Sequence, residues 1–297
     1  MPELFKPEFV YQPWQALKRV AQCFQGIPKP PHKIKLPWGL EIEIDPTETI
    51  GRSLWRHGVY DLALTESLVR LTNPEDVSVN VGANIGYFVG LSATKCSLVY
   101  GFEPHPLLFK ELKRNCTSWE THPGIGKICV FQQAISSHPG EASLIVPPHF
   151  AINRGVSFLS GAQPDVKGEE IIVSAISLDG FFEDKQEPNL MIIDVECAEF
   201  EVLRGMSNLL RSGNLRDIFF EDYEGYPSKS CDLLESFGYR IFLLQKSMRG
   251  PNIVLPNSGA KVSSWEATNY LATNNPLRAL ERINPNGWSS LKKNGCN

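Results

Sequence analysis

Residues 77–104 read VSVNVGANIGYFVGLSATKCSLVYGFEP, and this stretch decides the fold. Val77, Val79 and Val81 alternate with small polar residues and stop at Gly82, the pattern of a short strand entering a turn. Gly82 and Gly86 bracket that turn, where a side chain would hinder the close approach of a ligand. A short helical run follows, and Leu98–Phe102 is a second apolar strand. Glu103 stands just past its carboxyl end, 21 residues after Gly82. Strand, glycine turn, helix, strand and acid make the layout of a nucleoside-binding βαβ unit. The turn lets the backbone approach the ligand, and the acid accepts hydrogen bonds from two ribose hydroxyls.

The loop also discriminates among nucleoside cofactors. A dinucleotide site calls for G-x-G-x-x-G, whereas the run here is G-A-N-I-G, with Asn84 in place of the second glycine and no basic residue nearby. A cofactor with ribose and adenine but no phosphate fits better, which points to S-adenosylmethionine.

Composition narrows the class further. The 297 residues suffice for one large domain with an extension, and the net charge of −4 argues against an electrostatic nucleic-acid binder. No apolar run approaches membrane-spanning length, so no membrane partner is expected. Seven cysteines are scattered without a C-x-x-C, which favours a reducing, cytoplasmic setting and argues against a zinc site.

Along the chain, residues 1–50 read as an N-terminal helix and hairpin segment. Trp14–Phe24 is expected to be a packing helix with Trp14, Leu17, Val20 and Ala21 on its inner face. Ile34–Leu36 and Leu40–Ile44 flank P-W-G as a hairpin. Residues 51–255 read as one domain, in which strands and helices alternate as in a doubly wound α/β sheet. Leu62–Leu71 and Leu107–Trp119 are helices, Lys127–Ala134 is a third strand, and Ala142–Val146 and Ile171–Ile176 are further strands. The Gly/Pro-rich stretch between the last two, Pro147 to Gly168, reads as an acceptor-facing insertion. Leu190–Val195 is a fully apolar strand ending at Asp194, and Asp217–Phe220 ends in the acids Glu221 and Asp222. Tyr239–Leu244 and Ile253–Leu255, joined by a loop, suggest an antiparallel edge hairpin. Residues 256–297, rich in Asn, Ser and Pro and carrying Trp265 and Trp288, read as an appended helix or tail.

With these stretches assembled, the sequence resembles the FkbM family of S-adenosylmethionine-dependent methyltransferases over roughly Gly51 to Leu255. The motifs are H-G-V-Y-D from His57, V-N-V-G-A-N-I-G-Y-F from Val79, G-F-E-P-H-P from Gly101 with Asn115 downstream, N-R-G-V-S from Asn153, S-L-D from Ser177, and I-I-D-V-E-C-A-E-F-E-V-L-R-G from Ile192. The resemblance implies the seven-stranded Rossmann-like methyltransferase sheet, S-adenosyl-L-methionine as donor, and a hydroxyl acceptor on a sugar or natural product. Three positions depart from the family pattern: Asn80 stands for a usual Asp, Ile192 for a common Lys and Cys197 for Gly.

The expected cofactor contacts are Tyr60, Asn80, Gly82, Ala83, Asn84, Gly86, Tyr87, Phe88, Glu103, Pro104, Ala134 and Asp194. His57 is a further pocket residue, although a His before a Gly is more often a cap. An alcohol attacks a sulfonium methyl well only if its proton is drawn away, so a carboxylate near the acceptor is expected. Asp194 is read as contacting acceptor or cofactor, with Glu196 or Glu199 as base or orienting group. Glu199 also suits a helix N-terminus, where an acid meets the helix dipole. A metal held by Asp194, Glu196 and Glu221 is not assigned. The rival readings are an N- or protein methyltransferase and a non-catalytic binding module of the same fold, while a nucleotide-sugar dehydrogenase is disfavoured by G-A-N-I-G.

Overall fold

The computed structural model describes residues 6–162, 166–256 and 268–291. Its principal sheet has eight strands: β1 (Val77–Val81), β2 (Leu98–Phe102), β3 (Lys127–Phe131), β4 (Leu190–Ile193), β5 (Asp217–Asp222), β6 (Arg240–Lys246), β7 (Pro251–Val254) and β8 (Thr268–Thr273). Their order across the sheet is β7-β6-β8-β5-β4-β1-β2-β3. The block from β3 to β5 is parallel, and β8 is antiparallel to both its neighbours. β6 and β7 form the edge hairpin read from the sequence, and the sheet has eight strands where seven were expected.

Alternation along the strands explains why both faces are covered. Val77, Val79 and Val81 enter one apolar cluster with Met191, Ile193, Ile218 and Phe220, under the helices Leu178–Phe182, Glu199–Arg204 and Lys229–Ser236. Leu190, Ile192, Phe219 and Leu271 join the cluster on the other face, with the helices Thr49–His57, Leu62–Leu71 and Pro106–Trp119. A smaller sheet outside this frame pairs Gly140–Val146 antiparallel with Glu169–Ile176, and adds Ala134–Ile135 and Phe158–Leu159 at its edges.

The N-terminal hairpin is tied to the glycine turn. Asn115 accepts from the Glu43 amide (2.9 Å) and donates to the carbonyls of Glu43 (3.2 Å) and Ile85 (2.9 Å). The helix Pro13–Gln25 forms where expected, but it faces the opposite way. Trp14, Leu17, Val20 and Ala21 are exposed, whereas Gln12, Gln15 and Gln22 are buried. The cause is polar satisfaction. Gln22 donates to the Trp55 carbonyl (2.8 Å) and Gln15 to that of Arg56 (3.4 Å), at the end of Thr49–His57 where helix carbonyls lack internal partners.

Residues 256–297 also differ from the reading as an appended tail. Thr268–Thr273 is β8, seated between β5 and β6. T-N-Y-L-A-T has only two large apolar side chains among polar flanks, so its strand signal is weak. Its place is fixed by long-range pairing around the buried Asp217, which accepts from Thr273 Oγ1 (2.8 Å) and pairs with Arg278 (3.0 Å) and Arg216 (2.9 Å). The helix Pro276–Ile283 packs on Leu62–Leu71, and Trp288 is fully buried. Trp265 lies outside the described residues.

The switch between β1 and β4 is the tightest point of the frame. Gly82 has φ 81°, and a Cβ there would lie 1.8 Å from the Asp194 carbonyl oxygen. A Cβ on Gly86 (φ 96°) would lie 2.8 Å from Leu112 Cδ1. Both glycines are therefore demanded by the protein's own packing. Just past β4, Glu196 (φ 50°) and Cys197 (φ 71°) occupy the left-handed region in succession, a conformation that side chains with a Cβ disfavour.

Two outcomes follow from this frame. A chain truncated after Pro256 loses the strand between β5 and β6, and we expect no cooperative thermal transition by circular dichroism; a normal melt would show β8 to be dispensable. Cys197→Gly relieves a left-handed residue and should raise unfolding stability by about 0.5–1 kcal/mol in urea titration; a loss of stability would show that contacts of the thiol outweigh the strain.

Candidate active site

A cavity of about 970 Å³ opens at the carboxyl ends of β1, β4 and β5. Gly82, Asn84, Glu103 and Pro104 line one part of it, Ala134 and Ile135 another, and Asp194, Glu196, Glu221 and Tyr223 a third. Tyr60 and Asp61 reach it from the turn before Leu62–Leu71, and His57 also lines it. Asn153 to Ser157 carries the insertion to its rim, except that Val156 is not a lining residue. Residues 163–165 of that insertion lie outside the described residues.

Glu103 is 5% exposed, and its two oxygens accept from the amides of Asn84 (2.8 Å) and His105 (2.9 Å). Burial raises its pKa to about 7 against the pull of those two N–H groups. Each carboxylate oxygen keeps acceptor capacity beyond one backbone bond, which suits a pair of vicinal hydroxyls. Asn84, at φ 49°, turns its amide toward Glu103 and accepts from the Ile85 amide with its own Oδ1 (2.8 Å). The turn and the acid are thus one unit, and they fit the ribose of a nucleoside donor.

Of the expected cofactor contacts, Tyr60, Gly82, Asn84, Glu103, Pro104, Ala134 and Asp194 line the cavity, whereas Asn80, Ala83, Gly86, Tyr87 and Phe88 lie packed beneath it. Tyr87 supports from below: its hydroxyl accepts from the Tyr60 amide (3.1 Å) and lies 3.0 Å from Thr65 Oγ1, which donates to the Tyr60 carbonyl (2.7 Å). Asn80 is 1% exposed, and neither polar atom of its side chain has a hydrogen-bond partner.

The opposite wall is acidic. Burial and the charge of Asp61 raise the pKa of Asp194. Burial, then the charge of Asp194, raises Glu196 to about 7, against a hydrogen bond donated by Tyr223 Oη (2.9 Å). Glu221 is raised by burial and by Asp194, Glu196 and Asp61 together. Glu199 is raised to about 8 chiefly by burial, and one of its oxygens has no hydrogen-bond partner. It does not line the cavity, so the acids read from D-V-E-C-A-E separate, with Asp194 and Glu196 facing inward and Glu199 behind them. The basic residues Arg154 and Lys246 are already paired, the first with Asp45 (2.6 Å) and Glu111 (3.0 Å), the second with Glu8 (2.9 Å). Lys6 also lines the cavity and Lys246 draws the Asp61 pKa down, but the carboxylates on this wall outnumber the cations beside them, and burying them is costly.

The sequence reading did not place Asp61, Tyr223 or Asn269 in the site. Asp61 holds the amide of Leu64 (3.1 Å) and accepts from Asn269 Nδ2 of β8 (2.8 Å), so it depends on a strand the sequence did not reveal. Glu221 was read as an acid ending an apolar strand and weighed beside Asp194 and Glu196 only as a metal ligand that was not assigned. Among the described residues no group of His, Cys, Asp and Glu is arranged to hold a metal ion.

Comparison with known proteins follows the same line. The family described as Methyltransferase FkbM domain matches residues 80–241, more than half of the chain. A hexuronic acid methyltransferase, AglP of Haloferax volcanii, is 29% identical over 189 residues, 62% of this chain and 72% of that protein. Among solved structures, the methyltransferase FkbM from Methylobacillus flagellatus KT aligns with TM-score 0.44 and 15% identity over 76% of this chain and 48% of that one. The tRNA (uracil-54, C5)-methyltransferase of Pyrococcus abyssi, in complex with S-adenosyl-L-homocysteine, aligns with TM-score 0.40 and 11% identity over 81% and 43%. The chain spans less than half the length of these two solved chains. On the strength of the family match and the nucleoside site, this chain belongs to the FkbM family of S-adenosyl-L-methionine-dependent methyltransferases.

Proposed function

We propose that the chain methylates a hydroxyl of a sugar or a sugar-like natural product. The observation that carries this reading is the pair Asp194 and Glu196 on the cavity wall, with Glu196 held near neutrality and oriented by Tyr223. A carboxylate with a pKa near the working pH is matched to receiving a hydroxyl proton. The hexuronic acid specificity in the name of the Haloferax relative supports a sugar acceptor.

In this reading Glu103 would accept from the ribose hydroxyls, Gly82 to Asn84 would present the backbone, and Ala134 would lie beside the adenine. Tyr60 and Asp194 face the methionine end. The bound donor supplies an electrophilic methyl on a sulfonium. The donor would supply the methyl that the acceptor oxygen takes as sulfur leaves, and Glu196 is placed to receive the acceptor's hydroxyl proton. Holding the three atoms in line supplies much of the rate. Glu199, buried behind Asp194, is a positioning residue.

The test is a panel of sugars and glycosides incubated with labelled donor, with amines and peptides as controls. Methyl transfer to hydroxyls alone is expected; transfer only to nitrogen would overturn the reading. Glu196→Gln should lower kcat about 10²–10⁴-fold with little change in KM. Because the base must be ionised, kcat/KM of the native protein should rise as pH increases through about 7 and then level, and the variant should lose that limb. Glu103→Ala should weaken donor binding by about 1–3 kcal/mol in calorimetry; unchanged affinity would remove its ribose role.

A further inference from the structure

The helix Pro13–Gln25 is amphipathic in the reverse sense for a packing helix. Its polar side, with Gln12, Gln15 and Gln22, is buried against the protein, and its apolar side faces out. Trp14 is 46% exposed, Leu17 74%, Val20 49% and Phe24 87%. At 3.6 residues per turn these four side chains fall within roughly 120° of the helix circumference, one continuous stripe. A stripe of this kind is not a by-product of failed packing, because the inner face is held by hydrogen bonds to Trp55, Arg56 and Leu291.

Charge says what covers it. The helix carries Lys18 and Arg19 and no acid. From Lys6 to Lys35 the chain has six basic residues and a single acid, Glu8, which is buried and paired with Lys246. Lys33 and Lys35 stand opposite Glu43 and Glu41 in the hairpin, so the unbalanced positive charge of this segment is that of the helix itself, Lys18 and Arg19, with Lys29 just after it, on a protein that is net negative. Lys18 and Trp14 also line the mouth of a second cavity of about 780 Å³, together with Lys35 and His122. An apolar stripe of Trp, Leu, Val and Phe on a helix whose only charges are Lys18 and Arg19 is the composition of a helix that lies in a lipid interface, with rings and aliphatic chains at the acyl boundary and the cations at the phosphates.

We propose that this helix docks the enzyme on an anionic lipid surface, in contrast to the expectation of no membrane partner. The attachment is peripheral, since no helix among the described residues is long and apolar enough to cross a membrane. Docking here leaves the catalytic cavity's acids, on other elements, turned to their own ligands.

The experiment is co-sedimentation of the full chain with vesicles of phosphatidylcholine alone and of phosphatidylcholine containing about 30% phosphatidylglycerol. The protein should sediment with the second and not the first, and the binding should fall as salt is raised. The double variant Leu17→Asp/Phe24→Asp, at exposed positions, should weaken binding at least about tenfold, while S-adenosylhomocysteine affinity and the thermal transition stay unchanged. Lys18→Glu should reduce binding to the anionic vesicles in the same direction. Absence of sedimentation, equal sedimentation with both vesicles, or unchanged binding of the double variant overturns the proposal. So does a native dimer in light scattering that becomes a monomer in the double variant, because the stripe is then a protein interface.

Discussion

Everything at the active end of this molecule depends on the missing side chain of Gly82. The Asp194 amide bonds to the Val81 carbonyl (3.0 Å), and the amides of Gly82 and Ala83 both bond to the Phe102 carbonyl (3.0 and 2.8 Å). β1, β2 and β4 therefore end together, with the Asp194 carbonyl pressed into the space where a Cβ would sit. The crevice at the carboxyl ends of parallel strands, where the strand order reverses, is the place where such sheets bind ligands. Because the ends meet there, Glu103 from β2 and Asp194 from β4 border one cavity. The glycine is required first by the frame, and only through the frame by the ligand.

Electrostatics is the second constraint. Burial raises the pKa values of Asp61, Asp194, Glu196 and Glu221, with Asp61 adding to Asp194, Asp194 to Glu196, and all three to Glu221, while Lys246 draws Asp61 down. A group whose folded pKa lies above its unfolded value stabilises the fold at low pH, and that contribution is lost as pH rises through the folded pKa. The free protein thus gives up stability over the neutral range to keep an acidic pocket, and a cationic donor offsets that cost on binding. The pocket is held together by parts far apart in sequence: Asp61 by Asn269, Glu196 by Tyr223, and β8 by Asp217 with its two arginines.

The first and last described segments are fastened by polar contacts as well as by apolar burial of Phe9, Ile283, Trp288 and Leu291. At the C-terminus Glu66 accepts from the amides of Ser289 (3.0 Å) and Ser290 (2.7 Å), and Arg70 donates to the carbonyls of Ile283, Pro285 and Gly287. At the N-terminus glutamines hold the helix by the carbonyls of another helix's end. Hydrogen bonds of this kind leave no trace in hydrophobic periodicity. This is why the orientation of the helix Pro13–Gln25 and the place of the last strand were both misread, whereas the hairpin and β1 to β7 were found, except that the strand read as Lys127–Ala134 ends at Phe131, Ala134–Ile135 joins the smaller sheet, and the helix Ser207–Ser212 was not anticipated.

By itself the sequence determined the parts whose signal is local. β-branched alternation ending in glycine marks β1, the acid after β2 marks a carboxylate at the cavity, and the apolar run before Asp194 marks β4. Nucleoside binding and the class of donor follow from those residues. Only the tertiary structure decided what depends on distant partners. It inserted Thr268–Thr273 into the sheet, brought Asp61, Glu221 and Tyr223 around Asp194, turned Glu199 away from the cavity, and set the apolar face of the first helix toward solvent. The physical reason is common to all of these. Backbone geometry and side-chain period are written in neighbouring residues, whereas the satisfaction of a buried charge or carbonyl is settled by whichever partner the fold brings near.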